Sequence, residues 1–194
     1  MIIWLNGAFG AGKTQTAYEL HRRLPGSYVY DPENAGFFIR DNLPPGLERD
    51  DFQDFPLWRS FNLELLNYIA SRYGGPIIVP MTLTNRTYYD ELVGSLSKEH
   101  QVSHFILWAS RETLLKRLAS RLEGPGSWGA QQIDRCLHAF ETDITERKIL
   151  TDQLTISEAA EQAAALSGLP LSPDRRSPAR RLADRLITQI KYIR

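Results

Sequence analysis

The sequence lacks the features of a secreted, membrane-spanning or nucleic-acid-binding protein. Its single cysteine, Cys136, excludes an internal disulfide and suits a reducing compartment. No apolar run approaches the ~18 residues of a membrane span, and no basic leader precedes the first apolar run. Its 23 basic and 23 acidic residues cancel, so the chain offers little attraction to a phosphate backbone. We therefore expect a cytoplasmic protein that binds no nucleic acid.

A glycine-rich loop near the N-terminus is the strongest motif in the chain. Residues 1–16 read as an apolar strand, a glycine-rich loop and the start of a helix, and they contain G-x-x-x-x-G-K-[ST] in full. Glycine permits backbone angles that let N–H groups surround phosphate oxygens at a helix N-terminus. A lysine then supplies positive charge for the phosphates, and a threonine hydroxyl binds Mg²⁺. The motif predicts a site for ATP and Mg²⁺, with these nucleotide-binding residues: Gly7, Phe9, Gly10, Ala11, Gly12, Lys13, Thr14 and Gln15.

Five short apolar runs predict the buried strands of a parallel sheet. Segments long enough to form helices separate them, and this alternation is typical of a sheet covered on both faces. We expect one α/β domain over residues 1–170, with a linker and a helix over 171–194. The predicted strands are residues 2–5, 28–30, 77–80, 104–108 and 148–151.

The interval between the second and third strands is long and aromatic. It opens with the turn-rich D-P-E-N-A-G-F-F-I-R and ends in a predicted helix over residues 57–73, so we interpret residues 32–75 as an inserted lobe. Two interpretations of its aromatic residues stay open, since they either form the core of the lobe or line an apolar ligand pocket. These residues are Phe37, Phe38, Phe52, Phe55, Trp58, Phe61, Tyr68 and Tyr73.

Polar residues follow the second and third strands, at the sheet edge where open α/β sheets bind ligands. Asp31 and Glu33 are candidates to orient an acceptor hydroxyl, take its proton or hold the water shell of Mg²⁺; the alternative is ordinary turn chemistry. The third strand lacks the aspartate with which many P-loop ATPases hold Mg²⁺. Thr82 is the candidate there for the water shell of the metal.

A helix predicted over residues 111–122 carries two arginines, Arg117 and Arg121, beside a glycine-rich segment. Its apolar stripe consists of Leu114, Leu115, Leu118 and Leu122. We interpret residues 123–130, which contain E-G-P-G-S-W-G, as a mobile lid. Both arginines would then face the phosphates when the lid closes. Two predictions concern the helices that follow: Cys136 is a core thiol in a helix over 131–144, and Ser157 caps a helix over 158–166.

Four stretches resemble the tunicamycin-resistance protein family, which belongs to the small P-loop kinases related to nucleoside monophosphate, shikimate and gluconate kinases. They are G-A-F-G-A-G-K-T, Y-D-P-E-N-A-G-F-F-I, P-M-T-L and I-L-T-D-Q-L-T-I. The first is common to many families, whereas D-P-E-N-A-G-F-F is specific. The resemblance covers residues 1–168. It implies the three-layer P-loop fold of nucleoside monophosphate kinases, with a five-stranded sheet in the order 2-3-1-4-5, a substrate lobe and a lid.

The resemblance also implies roles for residues beyond the P-loop. Asp31 matches the acidic position that related kinases use as a base or, through water, as a metal ligand. Residues 151–154 would lie near the adenine, with Thr151 as the expected contact. The expected catalytic residues are Lys13, Asp31, Arg117 and Arg121, and the expected substrate contacts are Glu33, Asn34, Phe37, Arg40, Trp58 and Thr82.

These features predict an ATP-binding resistance protein that phosphorylates a tunicamycin-like nucleoside antibiotic. The aromatic content of the inserted lobe suits a large, partly lipophilic guest. Two alternatives remain: ATP-gated sequestration of the antibiotic without chemistry, or a kinase for an endogenous metabolite. The sequence does not distinguish a monomer from a dimer.

The C-terminal segment is basic and amphipathic. Residues 175–194 hold seven basic residues and one acid, so residues 1–174 carry a compensating charge of minus six. From residue 179 onwards, apolar residues recur at helical spacing among the arginines. The helix would either dock on the domain through these apolar residues or lie on an anionic membrane. The apolar positions are Leu182, Ala183, Leu186, Ile187, Ile190 and Ile193.

Overall fold

Five parallel strands form a single sheet in the order β2-β3-β1-β4-β5, which confirms the predicted topology. The computed structural model describes residues 1–192, so the tail position Ile193 lies outside the described residues. The strands are β1 Ile2–Gly7, β2 Tyr28–Val29, β3 Ile77–Pro80, β4 Val102–Trp108 and β5 Lys148–Leu150.

Both faces of this sheet are covered. Every residue of β1 and β3 is buried, and successive side chains of a strand point to opposite faces. Helical layers therefore lie above and below the sheet. The helices are α1 Lys13–Arg23, α2 Glu33–Asp41, α3 Pro56–Arg72, α4 Arg86–Tyr89, α5 Ser95–Glu99, α6 Arg111–Ala119, α7 Trp128–Gln131, α8 Ile133–Thr142, α9 Ile156–Leu166 and α10 Pro178–Tyr192, with a π-helical turn Asp90–Gly94 between α4 and α5 and a 3-10 turn Phe52–Asp54.

The centre of the sheet positions the functional loops. β1 pairs with β3 on one side and with β4 on the other, as far as Gly7 opposite Leu107. The P-loop therefore leaves the middle of the sheet between the loops that follow β3 and β4. This is the edge at which α/β sheets bind ligands.

Three local predictions around the lid and the last crossover need correction. Helix α6 ends at Ala119, because Leu122 adopts the left-handed conformation with φ 65° and is 97% exposed instead of extending the core stripe. The predicted lid is partly helical, since α7 begins inside it with Ser127 as its cap. Helix α9 is capped by Thr155, not Ser157, through a reciprocal capping box with Glu158. The core position predicted for Cys136 is confirmed.

Helix α10 lies on α1, but through its polar face. Its buried residues are Asp184 and Thr188. Leu182, Leu186 and Ile190, the expected docking residues, are instead 58%, 51% and 82% exposed. Ionic contacts explain this orientation: Arg176 pairs with both Asp184 and Glu19 of α1, and Arg22 of α1 donates to the Thr188 hydroxyl at 3.2 Å.

No helix within residues 1–192 has the combination of length and apolar character that crossing a membrane requires.

Candidate functional site

The P-loop occupies residues 8–12, between β1 and α1. Gly10 and Gly12 have φ values of 83° and 96°, in the left-handed region that favours glycine. A Cβ on Gly10 would also lie 2.9 Å from the Leu114 carbonyl oxygen, so the loop packs too closely on α6 for a side chain. Because α1 begins at Lys13, the N–H groups of its first turn lack helical partners and are available to an anion.

A small pocket, here called the phosphate pocket, is lined by Gly10, Gly12, Lys13 and Thr14, and also by Arg121, which follows the end of α6. The Lys13 ammonium donates to the Ala8 carbonyl at 3.1 Å and lies 5.4 Å from the Phe9 ring centre. Desolvation lowers the pKa of Lys13 to about 8, and the Glu33 carboxylate partly opposes that shift. Lys13 and Glu33 therefore face the same pocket with opposite charges.

The two candidate carboxylates lie in different positions. Asp31 accepts a hydrogen bond from the backbone N–H of Glu33 at 3.0 Å, so its carboxylate holds the start of α2. Glu33, the first residue of that helix, lines the phosphate pocket and the two larger cavities described below. Asp31 lines only one of these three spaces. Glu33 is therefore the carboxylate at their junction.

The first large cavity, here called the aromatic cavity, has a volume of about 640 Å³. Phe37, Phe38 and Phe61 line it, together with Asn34 and Tyr18. The end of α10 also reaches this cavity. Its Tyr192 ring stacks on Tyr18 at 4.0 Å between centres, and Tyr192 lines both the aromatic cavity and the phosphate pocket.

The aromatic residues of the inserted lobe divide between the two interpretations. Trp58 belongs to the core, since it is fully buried, donates its indole N–H to the Pro32 carbonyl at 3.0 Å and lies 5.4 Å from the Phe52 ring. The structure thus places Trp58 behind the cavity wall, not at the substrate contact expected for it. Phe55 also packs against the core. Tyr73 is bound to the Gly26 carbonyl through its hydroxyl, away from the site.

The second large cavity, here called the acidic cavity, has a volume of about 610 Å³ and adjoins the P-loop through Phe9 and Glu33. Arg40 lies 5.1 Å from the Phe37 ring in its wall. Thr82 also lines it, but the Thr82 hydroxyl donates to the Gly7 carbonyl at 2.9 Å, which ties the loop after β3 to the P-loop. The remaining acidic lining residues are Asp41, Asp50, Asp51 and Glu123.

The predicted lid contacts the P-loop directly. Trp128 of α7 packs edge-on against Phe9 with 5.0 Å between ring centres. A Cβ on Gly129 would approach the Phe9 side chain to 3.3 Å, so the glycine permits this close packing. Phe9 therefore joins the P-loop to the lid, in addition to its expected place in the nucleotide-binding loop.

Arg117 and Arg121 do not both face the phosphate pocket. Arg117 donates to the Thr151 hydroxyl at 3.1 Å and to the Thr151 carbonyl at 2.5 Å. Thr151, only 3% exposed, in turn donates to the Trp108 carbonyl, so it fixes Arg117 at the end of the sheet. Arg121 lies beyond the last turn of α6 and lines the phosphate pocket. The two arginines therefore have separate places in the site.

Arg117 and Arg121 also line a fourth space of about 320 Å³, here called the tail cavity because α10 forms part of its wall. It lies beside Gly10, Gly12 and Gln15 of the P-loop region and beside the segment 154–156. Sequence reasoning missed the contributions of α10 and Tyr18 to the site. Tyr18 lies one helical turn after Thr14, and this spacing could have predicted that Tyr18 lies near the site.

The site suits a magnesium nucleotide in its donor set. Thr14, which follows Lys13 in the sequence, lines the phosphate pocket and carries a hydroxyl group. Within residues 1–192 there is no group of three or more His, Cys, Asp or Glu side chains that could hold a metal ion. Mg²⁺ commonly takes only one or two protein ligands and completes its shell with water and phosphate oxygens.

Comparisons with known proteins identify the family of this chain. A family model described as an AAA domain matches residues 2–142. The solved tunicamycin resistance protein of Deinococcus radiodurans is 38% identical, with a TM-score of 0.75 over 89% of this chain and 98% of that chain. A search of curated proteins found no match.

Two more distant solved structures share the fold. A sugar kinase from Janibacter sp. HTCC2649 is 20% identical, with a TM-score of 0.62 over 87% of this chain and 94% of that one. Shikimate kinase from Bacteroides thetaiotaomicron is 18% identical, with a TM-score of 0.54 over 87% and 99%. Given these kinase-like folds and the 38% identity over nearly the full length of the Deinococcus protein, the chain belongs to the tunicamycin-resistance protein family of P-loop kinase-like proteins.

Proposed function

We propose that this protein is an ATP-dependent phosphotransferase that acts on a hydroxyl group of a tunicamycin-like nucleoside antibiotic. The observation that carries the proposal is the position of Glu33, which lines the phosphate pocket and both large cavities. A carboxylate at that junction can orient an acceptor hydroxyl and take its proton. The name of the Deinococcus relative supports the choice of antibiotic.

The residues around the phosphate pocket supply the remaining roles. Bound ATP with Mg²⁺ would provide the transferable phosphoryl group and neutralise part of its charge. Lys13 and Arg121 would stabilise negative charge on the phosphate oxygens, and the Thr14 hydroxyl would bind the metal. Asp31 would act by holding α2, and therefore Glu33, in position. Phe9 and Trp128 would help exclude water above the loop.

The two cavities fit the two halves of an amphipathic acceptor. The acidic cavity adjoins the P-loop and offers carboxylates for the hydroxyl groups of a sugar or nucleoside. The aromatic cavity shares Glu33 and Phe37 with it and offers an apolar wall to a lipophilic substituent. A small polar acid would leave that apolar wall exposed to water, so a larger guest is favoured.

Mass spectrometry of tunicamycin incubated with enzyme and Mg-ATP tests the proposal, since a gain of one phosphoryl group is expected. Glu33→Gln should reduce the rate of transfer by about a hundredfold or more, the usual contribution of a general base, while preserving ATP binding. Asp31→Asn is the matched control, because it removes a charge of the same sign from the neighbouring position. It should lower the rate less than Glu33→Gln does.

Other outcomes have defined meanings. If the drug stays unmodified at enzyme excess but binds to the protein in the presence of ATP, the function is sequestration of the drug and not phosphoryl transfer. Drug that neither binds nor is modified would refute the antibiotic as the substrate and favour an endogenous metabolite. Transfer that is lost in Asp31→Asn and kept in Glu33→Gln would assign the base to Asp31.

A further inference from the structure

The apolar residues of α10 are exposed on the protein surface, but not all in the same surroundings. Leu182 and Leu186 line the tail cavity beside the P-loop glycines. Ile187 and Ile190, on the same helix and 47% and 82% exposed, do not line that cavity. The helix therefore presents two of its leucines to a space that opens onto the start of α1.

The tail cavity has further apolar lining residues. Leu154 and Ile156, from the loop that follows β5 and the start of α9, supply apolar surface in addition to Leu182 and Leu186. Polar and charged side chains complete the lining. Such a mixed lining suits a heteroaromatic group, because each apolar surface removed from water contributes favourably while polar groups orient the ligand.

Gln15 links the tail cavity to α10. It lines the cavity and is 95% buried, since its relative exposure is 5%, and its Nε2 donates to the Arg185 carbonyl of α10 at 3.0 Å. This bond fixes α10 to α1 at the edge of the cavity.

Three arginines also converge on the tail cavity: Arg117, Arg121 and, from α10, Arg185. None of them pairs with a carboxylate within 4 Å among the described residues. Desolvation lowers the pKa values of Arg117 and Arg121. The carboxylate of Asp152 opposes this shift for Arg117 and that of Glu123 opposes it for Arg121, whereas repulsion from Arg185 adds to it for both. Such a cluster is stabilised by an anionic ligand, and guanidinium groups also stack on aromatic rings.

We infer that α10 forms one wall of the nucleoside subsite and that the base and ribose of the bound nucleotide lie in the tail cavity, between α10 and the loop after β5. Leu182 and Leu186 cover one face of the base, Gln15 holds α10 in place through the Arg185 carbonyl, and Arg185 adds positive charge near the phosphates. The inference rests on the proposed ATP binding. It adds a C-terminal element to the nucleotide site.

Binding measurements with two probes test this inference. ATP has a base and inorganic tripolyphosphate has none, so only ATP reports the tail cavity. The variant Leu182→Ser/Leu186→Ser should raise the dissociation constant of ATP about tenfold or more, since the base would cover the exposed parts of two leucines, which together contribute at least about that factor. The dissociation constant of tripolyphosphate should stay within about twofold of the wild-type value.

A matched control lies on the same helix. Ile187→Ser/Ile190→Ser makes the same chemical change at two apolar positions outside the cavity, so its ATP affinity should equal that of the wild type. Thermal unfolding without ligand should be alike for both variants, because all four side chains are about half exposed or more.

The outcomes separate the inference from the proposed function. Equal ATP affinity in the leucine variant and the wild type overturns the inference and leaves the transferase proposal intact. An equal loss of ATP and tripolyphosphate binding also overturns it, since the helix would then act through the fold of the P-loop. If the wild-type protein binds ATP and the leucine variant loses ATP affinity selectively, but no antibiotic is modified, the inference is supported and the transferase proposal is refuted.

Discussion

The docking of α10 through its polar face leads to a specific prediction for Asp184→Asn. The Asp184 side chain is buried against α1, where it accepts from Arg176 at 3.0 Å and Arg180 at 3.1 Å. Asparagine keeps the shape of the side chain and removes its charge. The arginines that hold the helix would then lose a shared partner.

The expected cost of this change follows from the burial of the partners. Removing one member of a buried ion pair typically costs about 3–5 kcal/mol. Arg180 is two-thirds exposed and contributes little, whereas Arg176 retains ion pairs with Glu19 and Asp174. We therefore expect Asp184→Asn to destabilise the docked state of α10 by about 2 kcal/mol, which raises the population of the detached helix about thirtyfold.

Hydrogen exchange of the amides in residues 180–190 measures this opening directly, because a surface helix detaches before the domain unfolds. Ile190→Ser is the contrasting variant. At 82% exposure its effect should stay within about 0.5 kcal/mol. Docking through the apolar face would instead make Ile190→Ser cost roughly 1.5–3 kcal/mol. Faster exchange in Ile190→Ser than in Asp184→Asn would refute the polar interface.

Three further predictions concern the body of the site. Triphosphate affinity should fall as the pH rises through about 8, where Lys13 loses its proton, and titrations with Lys13→Arg should show no such fall. Burial lowers the pKa of His104 from 6.5 to about 3, so below pH 6.5 the unfolded chain binds a proton that the folded chain does not. The free energy of unfolding, measured by urea denaturation, should therefore fall by about 1.4 kcal/mol per pH unit below pH 6.5, and His104→Asn should lack this contribution. Gly36→Ala should cost about 1–3 kcal/mol in urea unfolding, since the new Cβ would lie 2.5 Å from the Phe52 ring; a gain in stability would contradict this.

The elements that sequence patterns predicted well are those set by local chemistry. The P-loop and the positions of the strands were predictable because apolar runs and glycine spacing report backbone requirements within a few residues. The order of the strands came from the family resemblance instead, since no local pattern specifies which strands pair. The two arginines of α6 show the limit of this reasoning. Their spacing places them on one face only if the helix continues, and α6 ends at Ala119 with Leu122 in the left-handed conformation. Both arginines line the tail cavity, but only Arg121 also lines the phosphate pocket.

Positions that depend on distant partners could not be predicted. Turn formation and catalysis use the same residue types, so the sequence alone did not separate Asp31 from Glu33. In the structure the Asp31 carboxylate accepts from the backbone N–H of Glu33, and that contact is the basis on which we propose Glu33 as the base. Of the two alternatives for α10, docking through the apolar stripe is not what the structure shows, since Asp184 and Thr188 are the buried residues of the helix. Glu19 of α1 offers a buried carboxylate to Arg176, and periodicity within α10 contains no information about it.

Helix α1 connects these features. Its first turn carries Lys13 and Thr14, its Gln15 binds the α10 backbone, and its Glu19 and Arg22 hold the polar face of the same helix. A ligand that bridges the P-loop and α10 therefore contacts two elements already fixed to one rigid helix, and little ordering is required on binding. Coupling between two binding events is reciprocal. If α10 increases nucleotide affinity, bound nucleotide must oppose detachment of α10 by the same factor, and hydrogen exchange of the tail would then report the occupancy of the site.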